Sequence, residues 1–202
     1  MSERLPVIAV VGRPNVGKST FFNRVVGSRV AIVDDQPGVT RDRNFSKADW
    51  AGHHFFIVDT GGIVEDSDET MDKAIRQQAM LAVAEADVIL FLVDTKEGVQ
   101  PLDQKLAEVL RKTQTPVLLV ANKADNLPYN QDHQEFWSLG IGEPIPVSAL
   151  SGKGSGDLLD LVLEAIPEGA AEVYEEDTIR VAVVGKPNVG KSSFVNRLIG
   201  EE

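Results

Sequence analysis

The sequence predicts a three-layer α/β domain with a mostly parallel sheet of six strands. Apolar runs of strand length alternate along the chain with helix-length patterns, an order typical of parallel sheets joined by helical connections. Several of these runs are apolar at consecutive positions, as expected for strands that are covered on both faces. The predicted parallel strands are Val7–Val11, Phe55–Val58, Val88–Val93, Val117–Ala121 and Ile145–Val147.

A sixth strand and the helices complete this pattern. Residues Phe45–Trp50 alternate between apolar and polar side chains, and a short turn after Trp50 leads into the next strand. This arrangement is typical of a hairpin, so we predict that Phe45–Trp50 forms an antiparallel edge strand. The predicted helices are Lys18–Val26, Thr70–Ala84, Leu102–Lys112, Asp132–Leu139 and Ser155–Ala165.

The composition narrows the class of protein. Of the 202 residues, 43% are hydrophobic and 25% are charged, which is ordinary for a globular domain. The net charge of -11 argues against nonspecific binding to nucleic acid, because that binding depends on Lys and Arg neutralising phosphates. The chain has no cysteine, and therefore no disulfide or thiolate metal site. It shows no signal-peptide pattern and no apolar run of about 18 residues, so we expect a cytoplasmic location and no membrane partner.

One segment of the chain occurs twice. Residues 12–19 read Gly-Arg-Pro-Asn-Val-Gly-Lys-Ser, and residues 185–192 are identical except for a Lys in second place. Between residues 8–27 and 181–200, 14 of 20 positions are the same. The predicted organisation is a complete domain over residues 1–167, an acidic linker over 168–178 and the incomplete start of a second copy over 179–202.

The first copy of the segment matches the phosphate-binding pattern G-x-x-x-x-G-K-[ST], with a predicted strand before it and a predicted helix after it. Glycines let the backbone wrap around a phosphate, so that amide N–H groups and the positive end of the helix point at the anion. In such a loop Lys18 reaches the β and γ phosphates, and the Ser19 hydroxyl is a ligand of Mg2+. The predicted nucleotide contacts of this loop are Gly12, Arg13, Pro14, Asn15, Val16, Gly17, Lys18, Ser19 and Thr20.

The second copy of the loop lacks the partners of the first. No base-reading motif follows it within the 202 residues, so we expect it to bind nucleotide weakly or not at all. Its residues are Gly185, Lys186, Pro187, Asn188, Val189, Gly190, Lys191 and Ser192.

A second motif, Asp59-Thr60-Gly61-Gly62, follows one of the predicted parallel strands. A carboxylate at a strand end beside the phosphates can hold Mg2+, and a glycine there can donate its N–H to a γ phosphate. We therefore predict Asp59 as a metal-binding residue and the Gly62 backbone as a contact of the γ phosphate, with Thr60, Gly61 and Ile63 beside them. An ordinary turn after a strand is the alternative.

A third motif, Asn122-Lys123-Ala124-Asp125, follows another predicted strand and indicates which nucleobase the site binds. Guanine presents an N1–H and an exocyclic amine, and the carboxylate of Asp125 can accept both. Adenine presents an acceptor at N1 and no amine at C2, so ATP would leave the carboxylate unpaired, a mismatch that polar sites reject strongly. The Lys123 stem would lie over the base, and Asn122 would tie this loop to the phosphate loop. The base pocket would be completed by Ser148 and Ala149.

The ordered set of motifs resembles a known family. G-x-P-N-V-G-K-S, P-G-V-T-R-D, D-T-G-G, N-K-x-D and S-A are similar to the motifs of translation-factor-related P-loop GTPases, and the tandem loops resemble the Der (EngA) family of ribosome assembly factors. Der proteins have a complete second GTPase domain and a KH-like domain, whereas this chain ends at Glu202. The resemblance implies a P-loop GTPase fold, Mg2+-dependent hydrolysis of GTP to GDP and phosphate, and a switch function in large-subunit assembly with the ribosomal subunit as partner.

The resemblance also assigns roles around the γ phosphate. Thr40 corresponds to the switch I threonine, which implies Ser19, Thr40 and Asp59 as ligands of Mg2+. Ile63 stands where Ras-like GTPases have a water-orienting Gln. Related GTPases with Asn at the position of Asn15 can bind a potassium ion beside the phosphates, so we expect potassium-stimulated hydrolysis; the alternative is that Asn15 only braces the loop. The predicted catalytic residues are Asn15, Lys18, Thr40 and Gly62.

The sequence leaves two functions open. In the first, the domain is a GTP-hydrolysing enzyme in which Lys18 and Mg2+ stabilise the developing charge. In the second, it is a nucleotide-dependent binding switch with negligible intrinsic hydrolysis, which Ile63 favours because an alkyl side chain cannot orient water. Arg41 and Arg43 could stabilise transition-state charge, with an exposed charge-paired loop as the alternative. A third class, an ATP-driven motor or kinase, is opposed by the base-reading motif.

Overall fold

The computed structural model of the chain describes residues 2–3, 5–27, 45–60, 80, 82–125, 133–170 and 173–174. The strands are β1 Ser2–Glu3, β2 Val7–Val11, β3 Phe45–Trp50, β4 His53–Asp59, β5 Val88–Asp94, β6 Val117–Asn122, β7 Ile145–Pro146 and β8 Val173–Tyr174. The α-helices are α1 Lys18–Gly27, α2 Pro101–Leu110 and α3 Ser155–Ala165, and Gln134–Leu139 forms a 3-10 helix. Residues 80 and 82–85 are also helical.

Six of these strands form one sheet in the order β3-β4-β2-β5-β6-β7. Strand β3 pairs with β4 in antiparallel fashion, and the other neighbours are parallel. The turn between β3 and β4 contains Ala51 and Gly52, both in the left-handed region of φ that a tight hairpin requires. The structure thus confirms the predicted α/β fold with a mostly parallel six-stranded sheet and one antiparallel edge strand.

The core lies on both faces of this sheet. Strand β5 occupies the middle of the sheet and is buried at all seven of its residues. Because side chains alternate between the faces of a strand, Leu90 packs in the layer that contains apolar residues of α1 and α3, whereas Phe91 packs in the layer of α2 and the 3-10 helix. The continuous apolar sequence of β5 is therefore the sequence of a strand covered on both sides.

The topology also explains where polar residues gather. The parallel strands β2, β4, β5 and β6 run in the same direction, so their carboxyl ends meet at one edge of the sheet. The phosphate loop follows β2, and the polar residues Asp59, Asp94 and Asn122 end the other three strands. This edge is where open α/β sheets bind their ligands.

The segment predicted as a helix over Asp132–Leu139 takes the tighter 3-10 form in the structure. Its described part is a 3-10 helix over Gln134–Leu139, in which Phe136 and Leu139 are the buried residues. These two residues are three apart, a spacing that matches the three-residue turn of a 3-10 helix. The helix ends at Gly140, whose φ of 63° is left-handed and whose N–H bonds to Trp137 O. The predicted helix is therefore present in the described residues and is of the 3-10 type. The predicted helix Thr70–Ala84 falls largely outside the described residues, and its described positions 80 and 82–84 are helical.

A second, small sheet joins two distant parts of the chain. Strand β1 pairs antiparallel with β8, with Ser2 opposite Tyr174 and Glu3 opposite Val173. The strand β8 lies within residues 168–178, the predicted linker, whose composition gives no strand signal. The predicted boundaries of the domain and the linker stay predictions. Among the described residues, no helix has the length and apolarity needed to cross a membrane.

Candidate functional site

The loop between β2 and α1 is shaped by two glycines that pack closely against other elements. A Cβ added to Gly12 would lie 2.5 Å from the carbonyl oxygen of Leu92. Gly17 has a φ of 96°, and an added Cβ would collide with the Asn122 side-chain amide. The glycines of the phosphate-binding pattern are thus required by contacts with the ends of β5 and β6, in addition to any ligand.

Lys18 is the first residue of α1, and its side chain is buried against this loop. Its Nζ donates a hydrogen bond to Arg13 O at 2.9 Å, so the ammonium group curls back over the loop backbone. A buried cation near backbone N–H groups at a helix N-terminus favours an anion at this position. The site thus has the charge that a phosphate ligand needs.

Ser19 and Asp59 lie side by side next to the loop. The Ser19 hydroxyl donates to Asp59 Oδ2 at 2.7 Å, although the residues are 40 positions apart. A hydroxyl and a carboxylate are the oxygen ligands that Mg2+ accepts, and the ion commonly completes its shell with water and phosphate oxygens. Two of the three predicted metal ligands therefore meet and fit Mg2+. The third, Thr40, lies outside the described residues.

Thr60 fixes the end of β4 to β2. Its Oγ1 donates to Val10 O at 2.8 Å, and its backbone N–H donates to the same oxygen at 3.3 Å. This pair of bonds attaches the end of β4, and with it Asp59, to the strand that precedes the phosphate loop. The other predicted contacts of this motif, Gly61, Gly62 and Ile63, lie outside the described residues. So do Arg41, Arg43 and the whole second loop, residues 185–192.

Asn122 joins three loops at the centre of the site. Its Nδ2 donates to Val16 O at 2.8 Å, and its Oδ1 accepts from Ala149 N at 2.9 Å. The side chain is almost completely buried, so both bonds are shielded from water. This is the tie between the base-reading motif and the phosphate loop that the sequence predicts, extended to the loop of Ser148 and Ala149.

The Asp125 carboxylate has a defined partner on each oxygen. Ser148 Oγ donates to Oδ1, and Lys96 Nζ lies 3.0 Å from Oδ2. The hydrogen bond from Ser148, followed by the bond from Lys96, lowers the pKa of Asp125 below its usual range. At neutral pH the group is therefore an oriented, ionised acceptor. Ala124, between this residue and Lys123, is buried, and its N–H donates to Val147 O at 3.0 Å.

Arg24, which the sequence motifs do not include, extends from α1 to the Ser148–Ala149 loop. Its Nε donates to Ala149 O at 2.5 Å, and its Nη2 donates to Leu150 O. The helix that follows the phosphate loop thus also holds the loop of the predicted base pocket. The signal available in the sequence is that this arginine recurs as Arg197 in the second copy.

Arg13 directs its side chain into the protein. Its Nη1 lies 2.9 Å from Glu97 Oε2 and its Nε 3.4 Å from Asp103 Oδ2. Burial raises the pKa of Asp103, while the Gln100 N–H and the Arg13 guanidinium oppose this shift. Since the guanidinium is paired with α2, a nucleotide contact of Arg13 would involve its backbone. Pro14, Asn15 and Thr20 are exposed at the surface of the loop and helix.

Replacing Asn122 by Ala should lower the free energy of unfolding by about 2–4 kcal/mol, because Val16 O and Ala149 N would lose buried hydrogen bonds. Chemical denaturation measures this change. The exposed Gln104→Ala variant on α2 serves as the control and should stay within about 0.5 kcal/mol of the unaltered chain. Equal stability of the two variants would contradict the bridging role of Asn122.

Replacing Ser148 by Ala should raise the pKa of Asp125, because the larger cause of its depression is removed. The folded pKa lies below the ordinary value of 3.8. The carboxylate therefore adds stability above that pH, and this stability is lost as the pH falls through the folded pKa. NMR titration of the Asp125 carboxyl carbon measures the shift, with Ser138→Ala on the exposed side of the 3-10 helix as the control. An unchanged pKa in Ser148→Ala would refute the assignment.

Comparison with known proteins identifies relatives of this architecture. A family model described as 50S ribosome-binding GTPase matches residues 7–123 and 180–202, which include both copies of the duplicated segment. GTPase Der of Gemmatimonas aurantiaca is 60% identical over 198 residues, covering 98% of this chain and 45% of the relative. GTPase Der of Halalkalibacterium halodurans is 55% identical over 197 residues with the same coverage. The chain thus spans less than half the length of these curated relatives.

Solved structures share the fold. A variant of Era from Aquifex aeolicus, bound to GDP.AlF4-, superposes with a TM-score of 0.62 at 30% identity, covering 89% of this chain and 62% of that chain. The FeoB G-domain of Methanococcus jannaschii gives a TM-score of 0.56 at 25% identity, with coverages of 81% and 98%. These matches confirm the predicted P-loop GTPase fold, and the curated relatives confirm the resemblance to Der. The chain is a member of the 50S ribosome-binding GTPase family.

Proposed function

We propose that the first copy of the duplicated segment binds GTP and GDP and hydrolyses GTP to GDP and phosphate with the help of Mg2+. The observation that supports this most directly is the buried Asn122 amide, which bonds to the phosphate loop and to the Ser148–Ala149 loop at once. Phosphate binding and base recognition would thereby share one rigid arrangement. Relatives named GTPase Der add support.

The selectivity for guanine follows from the state of Asp125. An ionised carboxylate accepts hydrogen bonds and cannot donate them. Guanine offers two neighbouring donors to such a group, whereas adenine brings an acceptor to the same place. A buried mismatch of this kind is strongly unfavourable, so we expect the site to prefer GTP and GDP over ATP and ADP.

The chemistry is one of positioning and charge stabilisation. Lys18 and the loop N–H groups would hold the phosphates and stabilise the charge that develops on them. Ser19 and Asp59 would hold Mg2+, which neutralises phosphate charge when bound. By family resemblance, Thr40 would add a metal ligand and the Gly62 N–H a contact to the γ phosphate.

A potassium ion is the second cation that we propose. Ile63 cannot orient water, so some other group must support hydrolysis. Asn15 is exposed on the phosphate loop in a left-handed conformation with a φ of 66°. Its side-chain oxygen would be a suitable ligand for a cation beside the phosphates, as the family resemblance implies.

The second candidate function is a binding switch with negligible intrinsic hydrolysis, favoured by the same Ile63. In either case we propose that the nucleotide state controls docking to the large ribosomal subunit during its assembly in the cytoplasm. The family description and the relatives named Der support this role. With a net charge of -11, this part of the protein would not provide the main grip on RNA.

Replacing Lys18 by Ala should weaken GTP binding by about 100-fold or more, because several charge-assisted contacts to phosphate are lost. Lys191→Ala is the matched control, since Lys191 is the equivalent residue of the second copy. We expect that variant to retain more than half of the bound GTP, measured by equilibrium binding at fixed concentration. Undiminished GTP binding in Lys18→Ala would disprove the assignment of the site. Loss of more than half of the bound GTP in Lys191→Ala would show that the second loop binds nucleotide.

Single-turnover hydrolysis should be faster in potassium than in sodium buffer, and Asn15→Ala should abolish the difference. Pro14→Ala, which changes another exposed residue of the same loop, should keep it. Equal rates in the two buffers would remove potassium from the mechanism. Rates indistinguishable from those of nucleotide without protein would leave the binding switch as the function of the domain.

A further inference from the structure

Three consecutive residues at the end of β5 each contact a different residue of the base-reading motif. Asp94 Oδ2 lies 2.5 Å from Lys123 Nζ. Thr95 donates to Asn122 O through Oγ1 at 2.9 Å and through its backbone N–H at 3.0 Å. Lys96 Nζ lies 3.0 Å from Asp125 Oδ2. The segment Asp94-Thr95-Lys96 thus contacts three of the four residues of the motif.

The charges of the two segments are complementary. At the end of β5, the negatively charged Asp94 faces the positively charged Lys123. Two positions further along each segment, the positively charged Lys96 faces the negatively charged Asp125. Strands β5 and β6 are parallel neighbours with Asp94 opposite Asn122, so the register of the sheet places the segments against each other. The arrangement therefore belongs to the fold and does not depend on a ligand.

The inner pair, Asp94 with Lys123, holds the end of the Lys123 side chain. Asp94 is completely buried, and its other oxygen accepts the Lys96 N–H at 2.9 Å. A buried carboxylate needs such partners, and removing one of them is unfavourable. Lys123 has a φ of 67°, a left-handed conformation that a residue with a Cβ adopts only when its surroundings hold it there. The Thr95 bonds to Asn122 O hold the backbone just before Lys123, and the Asp94 carboxylate holds its ammonium group.

The outer pair, Lys96 with Asp125, orients the carboxylate that would bind the base. A carboxylate has about four lone-pair positions, two on each oxygen. In the described part of the chain, Ser148 uses one position on Asp125 Oδ1 and Lys96 one on Oδ2. One further position on each oxygen can then accept from a base. Two such acceptors side by side match the two neighbouring donors of guanine.

We propose that Asp94, Thr95 and Lys96 are positioning residues for base recognition, and that Lys96 determines the guanine selectivity of the site; this role rests on the proposed nucleotide-binding function. Thr95 holds the backbone at Asn122. Asp94 holds the Lys123 side chain in position to lie over the face of the base, and Lys96 turns the Asp125 carboxylate toward the edge of the base. The segment contacts the base-reading motif directly and would act on the nucleotide only through that motif.

The test compares GDP with IDP, whose hypoxanthine base lacks the exocyclic amine of guanine. Calorimetric titration of the chain gives the dissociation constants of both. Lys96→Met should weaken GDP binding about two- to fivefold, the range expected for an exposed ion pair, and should lower the ratio of GDP to IDP affinity. Lys96→Arg should restore both values because the charge is kept. Lys112→Met, on an exposed lysine beyond the end of α2, should change neither.

Asp94→Asn extends the test to the inner pair. It should weaken GDP binding about tenfold, and adding Lys123→Met should cause little further loss, because both changes break one interaction. Equal weakening of GDP and IDP in Lys96→Met, or no weakening of GDP binding in either variant, would overturn the inference. If Asp94→Asn fails to fold, Lys96→Met and its Arg rescue decide alone. If the unaltered chain does not bind GDP, the proposed function fails instead, and if it binds GDP and IDP equally, the inference fails while the proposed function stands.

Discussion

The arrangement of the site depends on one buried amide. Asn122 is the last residue of β6, and its two hydrogen bonds connect loops that follow three different strands. A shift of any of these loops would leave a buried donor or acceptor without a partner, which is unfavourable. The phosphate loop, the base-reading motif and the Ser148–Ala149 loop are therefore coupled, although they lie far apart in sequence.

Charged residues strengthen this coupling from both sides of the sheet. Arg24 connects α1 to the Ser148–Ala149 loop, and Arg13 connects the phosphate loop to Asp103 at the start of α2. The helix that follows the phosphate loop is thus attached to the Ser148–Ala149 loop, and the helix that follows β5 is attached to the phosphate loop. Much of the order in the site therefore comes from the protein's own contacts.

The sequence predicted the parts of the structure that depend on local patterns. Apolar runs located the sheet strands to within two residues at either end, and loop motifs identified Lys18, Ser19, Asp59 and Asn122 as neighbours. The helix at Gln134–Leu139 was predicted but its 3-10 type was not, because its two buried apolar residues fit either helix type over so short a span. The contacts of Asp94-Thr95-Lys96 and Arg24 were missed because they depend on strand register and on the direction of long side chains, which no local pattern contains.

The short outer strand β7 has a consequence for the behaviour of the protein at high concentration. Val147 donates its N–H to Ala121 O, so the alternating backbone turns position 146 away from the sheet. That position is a proline, which has no N–H to offer to an added strand. An edge of two residues whose outward position lacks a donor is a poor template for edge-to-edge pairing. The fold thereby protects its sheet against self-association at the side where the base pocket would form.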